Sequence, residues 1–345
     1  MQGHAGRPLS MIALVGERYR MAHSIPRVLV IVILVLCGAS SLARADSFSL
    51  NPYTFTRIDV PGASATVALG INNAGQIVGT YRDDTGFHGF TASGDDFTTI
   101  DTIVAYGINN LGQIVGSNIG SDGLFHGFLD SGGNVTSVDV PGASFTQAYG
   151  INDSGEMVGY FNSFEIDGLG NRGFSAKGDR FTTIEVPGAA FTQASGINNH
   201  GQIVGNYGDA DGAAHGYLHE GNSFTGIDVP GAPVTVVNGI NNLGQIVGWF
   251  SDASGPHAFL YSGGSFTTID VPGVSNLFAN GINDGGQIVG YYSDAEGQHG
   301  FVASPVPEPS SLVLVFLGFS GFMSWRRERP AENRVNEGNP RTEAP

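Results

Sequence analysis

The chain has 345 residues, a net charge of −16, 53 glycines and a single cysteine. Over residues 46–304 there are 25 acidic against 5 basic side chains, a net of −20. A surface this acidic repels phosphate and excludes a nucleic-acid binder, and with no cysteine after Cys37 disulfides cannot hold the chain together.

Residues 1–20 share no pattern with the rest, and Met21 is a second candidate start. Arg27 then provides a basic start, residues 28–36 an apolar run, and Ala43-Arg44-Ala45 a small-x-small cleavage site. This order is that of a secretory signal peptide, so residues 1–45 are set apart from the fold. Leu36 stands where a lipoprotein signal requires a small residue before Cys37.

From there the chain repeats itself. GINNLGQIVG occurs at residues 107–116 and 239–248, and close copies begin at Gly70, Gly150, Gly196 and Gly281. The six copies start 37, 43, 46, 43 and 42 residues apart, a spacing that marks a repeat architecture. Within one copy, Asn241-Asn242-Leu243-Gly244 is turn chemistry: Asn starts turns through its side chain, and Gly supplies positive φ. A type I turn followed by a left-handed Gly closes a hairpin with a bulge, so residues 236–240 and 245–250 are expected as antiparallel strands. A turn at residues 251–255 leads to a third strand at 257–261. Gly263-Gly264 then leads to a fourth at 266–271, rich in β-branched residues and stopped by Pro272-Gly273.

Four short strands in about 42 residues is the arithmetic of a β-propeller blade. The fourth-strand pattern also occurs six times, at residues 55–60, 97–103, 135–140, 181–186, 224–229 and 266–271. The first precedes the first hairpin, and the last hairpin lacks one after it. The expected fold class is therefore all-β, a six-bladed β-propeller over residues 46–304 whose N-terminal strand completes the last blade. Closure of that kind removes open sheet edges. The alternative is an open β-solenoid. Two repeats depart from the pattern. The second lacks Pro-Gly after Asp101-Thr102-Ile103. The third is the longest, with an enlarged loop expected at residues 161–170 and Arg172 where the others have His.

After Ser304 the composition changes. Residues 305–311 are a Pro-rich linker, 312–325 an uncharged apolar run, and Arg326-Arg327 follow at once. The apolar run is short for a membrane span, which needs about 20 residues, and the basic pair fixes its C-terminal end inside. Residues 328–345 are expected to be a disordered polar tail. The succession Pro307-Glu308-Pro309, apolar run, Arg326-Arg327 resembles the PEP-CTERM sorting signal of Gram-negative bacteria over residues 305–327. That resemblance implies exosortase as processing partner, with Pro307-Glu308-Pro309 recognised, transient inner-membrane attachment through the C-terminal segment, and a cell-surface or extracellular-matrix address, often alongside exopolysaccharide. The repeats resemble HAF-type extracellular repeats, through His88-Gly89-Phe90, His126-Gly127-Phe128, His215-Gly216-Tyr217, His257-Ala258-Phe259 and His299-Gly300-Phe301. No activity comes with that second resemblance.

Several recurrent residues have ligand chemistry, and each also has a plain structural role. A ring of imidazoles at His88, His126, His215, His257 and His299 has metal-ligand chemistry, but a residue present in nearly every repeat is expected to support its own turn. The acids Asp59, Asp101, Asp139, Glu185, Asp228 and Asp270 end the fourth strands. Ca²⁺ on such a rim is one reading, and strand-end bonding to the turn backbone is the other. Asp209-Ala210-Asp211-Gly212 has part of a calcium loop and is expected as a hairpin turn. Aromatics after the second strand (Tyr81, Tyr160, Phe161, Tyr207, Trp249, Phe250, Tyr291, Tyr292) suit stacking on sugars or packing between blades. No metal cluster, nucleophile elbow or phosphate loop stands out, and no catalytic residue or cofactor is assigned. The expectation is a secreted or cell-surface, non-enzymatic repeat protein that binds or builds the extracellular polysaccharide matrix, with exopolysaccharide or other surface proteins as partners. The alternative is a polysaccharide hydrolase or lyase on the same scaffold.

Overall fold

A computed structural model of the protein describes residues 52–306, except 101, 163–169, 272 and 275. The described chain is all-β. Strand β1 (Tyr53–Ile58) comes first. The first repeat gives β2 (Ala65–Ile71), β3 (Ile77–Asp83), β4 (Gly86–Ser93) and β5 (Asp96–Ile100). The second gives β6 (Val104–Ile108), β7 (Ile114–Ile119), β8 (Phe125–Ser131) and β9 (Asn134–Val138). The third gives β10 (Phe145–Ile151), β11 (Met157–Asn162), β12 (Arg172–Lys177) and β13 (Arg180–Ile184). The fourth gives β14 (Phe191–Ile197), β15 (Ile203–Gly208), β16 (Ala214–Glu220) and β17 (Ser223–Ile227). The fifth gives β18 (Val234–Ile240), β19 (Ile246–Asp252), β20 (Gly255–Ser262) and β21 (Ser265–Ile269). The sixth has three strands of its own, β22 (Leu277–Ile282), β23 (Ile288–Ser293) and β24 (Gln298–Pro305).

Repeats two to five each form a four-stranded antiparallel sheet in sequence order. In the sixth, β1 supplies the missing strand and pairs antiparallel with β24 from Tyr53↔Pro305 to Ile58↔Gly300. That sheet and the first touch through one parallel pair, Ala65↔Gln298. The expected fourth strands are shorter than the sequence indicated, because their last two residues belong to the turn. The Val60, Val140, Val186 and Val229 carbonyls accept the N–H three residues on, at about 3.0 Å. Gly62, Gly142, Gly188 and Gly231 sit at φ near +80°. Pro then Gly at positive φ is a type II turn. Of the loop expected at residues 161–170, Phe161 and Asn162 belong to β11, and residues 163–169 are not described.

The INNxGQ turn carries the register. Gly244 N–H bonds to Asn241 O at 3.2 Å with Gly244 at φ +73°, the expected type I turn with its left-handed Gly. The Asn241 side chain is buried, and its Oδ1 accepts the N–H groups of Leu243 and Gln245, both at 3.0 Å. Its Nδ2 donates to Gln245 Oε1 at 2.8 Å and to Asn283 O of the next sheet at 3.0 Å. Every repeat repeats the inter-sheet bond. Asn72 donates to Asn109 O, Asn109 to Asn152 O, Asn152 to Asn198 O and Asn198 to Asn241 O, at 3.1–3.2 Å. Asn283 then donates to Asn72 O at 3.1 Å, so the series returns to its start.

The core lies between neighbouring sheets. One cluster joins Val115 and Val138 of the second sheet to Ala148, Met157 and Phe174 of the third. Another joins Ile58 and Val289 of the last sheet to Ala68, Tyr81 and Phe90 of the first. The third strands each bury one aromatic completely or nearly so: Phe90, Phe128, Phe174, Tyr217, Phe259 and Phe301. Burying each such ring stabilises by about 2–3 kcal/mol, whereas a net hydrogen bond contributes about 1 kcal/mol. Stability therefore comes from the inter-sheet packing, and the asparagine bonds fix where the sheets sit. Removing an asparagine is still costly, because one side chain satisfies several groups at once and its bond to the next sheet is buried. Asn198→Ala strands two N–H groups, the Gln202 amide and the Asn241 carbonyl. It should cost roughly 3 kcal/mol, seen by calorimetry as a Tm lower by about 6–12 °C.

Candidate functional site

The innermost strands β2, β6, β10, β14, β18 and β22 share an irregularity. Their pairing with the next strand slips by one residue just before the repeat glycine, between Ala148 and Gly150 in the third sheet and at the matching place in the others. A bulge of this kind re-aims one side chain. The residues so placed are Leu69, Tyr106, Tyr149, Ser195, Asn238 and Asn280, and together they line a cavity of ≈ 140 Å³ where the six inner strands meet. The glycine that follows must be small. A Cβ on Gly107 would stand 2.6 Å from Tyr149 O, and one on Gly239 2.8 Å from Asn280 O.

The cavity wall is uneven. On one side Tyr106 stacks on Tyr149 with centroids 4.0 Å apart and 16° between planes, and Tyr160 packs behind at 5.4 Å. The Tyr160 hydroxyl donates to Gln147 Oε1. Burial, then the neighbouring Tyr106 and Tyr160, push the Tyr149 phenol well above its ordinary value, so it keeps its proton. On the other side Asn238 Nδ2 donates to Ala279 O at 2.9 Å, and Asn280 Nδ2 donates to Ala68 O at 2.8 Å. These bonds hold both amides in place. Phenol donors, amide acceptors and a stacked ring pair are chemistry for holding a small polar ligand. No carboxylate, imidazole or thiol is among the described residues lining this cavity.

One end of the cavity is framed by a second ring, formed by Asn73, Asn110, Asp153, Asn199, Asn242 and Asp284. The backbone N–H of each donates to the side-chain oxygen of the next, at 2.8–2.9 Å throughout. Asp153 Oδ2 accepts from Asn110 and Asn199, and Asp284 Oδ2 from Asn242 and Asn73, at 2.6–2.9 Å. Burial works against their charge, but the amide donors outweigh it and both carboxyls lie below their ordinary range.

The residues singled out from sequence are placed elsewhere. Each His of the third strands belongs to its own sheet. His126 Nε2 meets Asp122 and Nδ1 meets Asp139, both at 3.1 Å. His215 bridges Asp209 and Asp228 at 3.2 Å. His299 bridges Asp294 and Asp59, the latter brought in by β1, at 3.2 and 3.0 Å. His88 meets Asp83, and His257 meets Asp252, both at 3.2 Å. Arg172 keeps the arrangement with a guanidinium, bonding Glu185 at 3.1 Å. Each histidine thus bonds acids of its own sheet rather than joining a common ring. Asp101 is not among the described residues. Among the described residues no group of three or more His, Cys, Asp or Glu is placed to hold a metal ion. Asp209 caps its own turn, accepting from Asp211 and Ala213 N–H at 2.9 Å, as a hairpin turn does. Of the aromatics, Tyr81, Tyr207, Phe250 and Tyr292 each pack on the His of their own sheet at 5.2–5.4 Å. Phe161 is buried. Tyr160 packs on the cavity tyrosines, and Trp249 and Tyr291 on Phe278 at 5.3 and 4.7 Å. Ala43, Ala45, Pro307, Glu308, Pro309, Arg326 and Arg327 lie outside the described residues, as does the apolar run 312–325. Among the described residues no helix is long and apolar enough to cross a membrane.

Residues 305–328 match the PEP-CTERM protein-sorting motif. This motif is the recognition signal for exosortase processing and marks an exported protein that is associated with the cell surface after processing. No curated protein matches the chain in sequence. Among solved structures, the chain is similar to an Aleuria aurantia lectin in complex with alpha-methyl-L-fucoside, at 14% identity over 75% of this chain and 98% of that chain, TM-score 0.46. It is similar to AofleA from Arthrobotrys oligospora at 12% identity over 72% and 90%, TM-score 0.47. It is similar to Trypanosoma rangeli sialidase at 9% identity over 79% and 62%, TM-score 0.42. Likenesses this slight carry no activity across to the chain.

The His–acid pairs set a pH dependence. The Asp122 bond leads in raising His126 above 6.5, and for His215 the Asp209 and Asp228 bonds outweigh burial, which opposes them. A raised imidazole stabilises the fold fully below 6.5, and that contribution is lost as pH rises through the raised value. Asp122 and Asp209 are lowered first by backbone N–H bonds, so theirs is complete above 3.8 and lost as pH falls. Thermal melts between pH 5.5 and 8 should show the wild type losing stability with rising pH more steeply than a His126→Gln/His215→Gln variant.

Proposed function

We propose that this chain is a secreted, non-enzymatic six-bladed β-propeller that binds glycan of the extracellular polysaccharide matrix at the cell surface. The blade count and closure are supported by the asparagine series that returns from Asn283 to Asn72, and by β1 completing the sheet of β24. The export and surface address follow from the sorting motif at residues 305–328. In the same reading the repeats are of the HAF type, residues 1–45 are removed on export, the segment before Arg326-Arg327 anchors the chain transiently in the inner membrane, and residues 328–345 form a polar tail.

The observation that carries the binding reading is the break in symmetry at the axis. The repeats spend their other recurrent polar groups on their own turns and neighbours. Where the inner strands meet, the bulged position changes character around the ring, from Leu69, Tyr106 and Tyr149 through Ser195 to Asn238 and Asn280. A site on a regular scaffold is where the regularity fails, and tyrosine with amide groups is recognition chemistry rather than acid–base chemistry.

The test is co-sedimentation of the full chain with exopolysaccharide from its host, together with the polymer's size distribution. Binding with unchanged polymer size is expected, and Asn280→Leu should weaken it several-fold, while loss of the bond to Ala68 O lowers Tm by about 2–4 °C. A shortened polymer would overturn the non-enzymatic reading and favour the hydrolase or lyase alternative.

A further inference from the structure

The junction between the first and second sheets differs from the other five. There the Asp/Glu-Val-Pro-Gly turn is replaced by Asp101-Thr102-Ile103. The short connection is held instead by side chains, with Ile103 N–H donating to Asn118 Oδ1 at 2.7 Å and Thr80 Oγ1 donating to Ile103 O at 3.0 Å. Asn118 is itself a departure. Its place in the other sheets is taken by Tyr81, Phe161, Tyr207, Phe250 and Tyr292. Two deviations far apart in the repeat's sequence thus fall on the same spot.

Together they open a groove of ≈ 500 Å³, within the range of small-ligand sites. Its wall carries the ring of Phe87, 57% exposed, and the side chain of Ile119, 50% exposed. Arg82 lies 5.5 Å from the Phe87 centroid. Polar groups stand beside these: His88, Thr99 and the Asn118 amide, whose Nδ2 has no partner among the described residues. Thr102 also lines the groove, and its Oγ1 is the one buried side-chain polar atom among the described residues without a hydrogen-bond partner. A buried hydroxyl left unpaired is costly and calls for an explanation such as a missing ligand or water.

We propose that this groove is a second glycan site, taking one neutral pyranose residue of a polysaccharide. The aromatic face of Phe87 meets the apolar C–H face of the ring, and Asn118 Nδ2, Thr99 and His88 meet its hydroxyls. Neutrality follows from the charge balance: the surrounding domain carries a net of −20 and repels uronate or sulfated polymers. This inference rests on the glycan-binding reading and adds a place to it that is separate from the axial cavity.

The experiment is affinity electrophoresis of the full chain in gels containing galactomannan, dextran, host exopolysaccharide or the anionic polymer alginate. Four proteins are compared: wild type, Phe87→Ala, Asn118→Tyr and Leu243→Ala. Asn118→Tyr restores the aromatic of the other repeats and fills the groove. Leu243, 70% exposed on a distant turn, is the control. The expected result is retardation of wild type and control by at least one neutral polymer, none by alginate, and at least tenfold weaker retardation of both groove variants. Phe87→Ala alters an exposed side chain, so it keeps the test decisive if Asn118→Tyr fails to fold. If wild type is retarded and Phe87→Ala equally so, the groove is not the site while the glycan reading stands. Retardation by alginate alone overturns the neutral-sugar assignment. If no polymer retards the wild type, the glycan reading falls and the groove site with it.

Discussion

The described structure depends on one buried amide in each repeat. Asn72, Asn109, Asn152, Asn198, Asn241 and Asn283 each turn a strand, close a hairpin and reach the neighbouring sheet with the same side chain. Only asparagine does this at such a site, because it offers an acceptor with two lone pairs and two donors on a short stem. Aspartate would lose the donors that reach the next sheet. Alanine would leave two turn N–H groups without their acceptor and a buried carbonyl of the next sheet without this donor. Apolar packing supplies most of the stability, but it is not directional. The amide gives the sheets their spacing.

That spacing explains the neighbouring letters of the repeat. The glycine two residues before each of these asparagines runs close to the next sheet's backbone, and at Gly70, Gly107 and Gly239 a Cβ would collide with it. The residue ahead of the glycine is pushed out of the ladder into the bulge and toward the axis. The same constraint that makes the repeats alike therefore frees one position from packing, and there the chain places tyrosine, serine and asparagine. Around the outside the opposite holds. Each His bonds an acid of its turn, His126, His215 and His299 also bond the acid at their strand end, and in the third sheet Arg172 takes the place of the His and bonds Glu185.

The two ends of the described chain meet. Val306 N–H bonds to Pro52 O at 2.8 Å where β1 lies along β24, and Asp59 of the chain's beginning receives His299 of its end. Pro305, the first residue of the sorting-motif match, thus ends β24, and Val306 is bonded beside it. A strand from the other end of the chain is needed before the last sheet is whole, so the repeats do not stand alone as sequence units.

Much of this was legible beforehand. The turn chemistry of Asn-Asn-x-Gly, the four strands per repeat and the offset of one strand all followed from local pattern, because turns and period-two strands are set by neighbours in sequence. The structural role of the histidines was also expected from their recurrence. The ends of the fourth strands and the start of the third repeat's long connection were misplaced, since the Pro-Gly turn takes its last two strand residues and β11 runs on through Asn162. What sequence did not disclose was convergence. Leu69, Tyr106, Tyr149, Ser195, Asn238 and Asn280 had a signal, being the varying letters before an unvarying glycine, but no rule of spacing says that a bulge aims them at one cavity. Nor does the sequence show that Asn118 and the missing Pro-Gly turn border the same groove. The sequence by itself determined the repeat, its strands, its turns and the export signal, because these are written within a few dozen adjacent residues. Only the tertiary structure decided which side chains from different repeats face one another, because those distances are fixed by sheets packing across the axis.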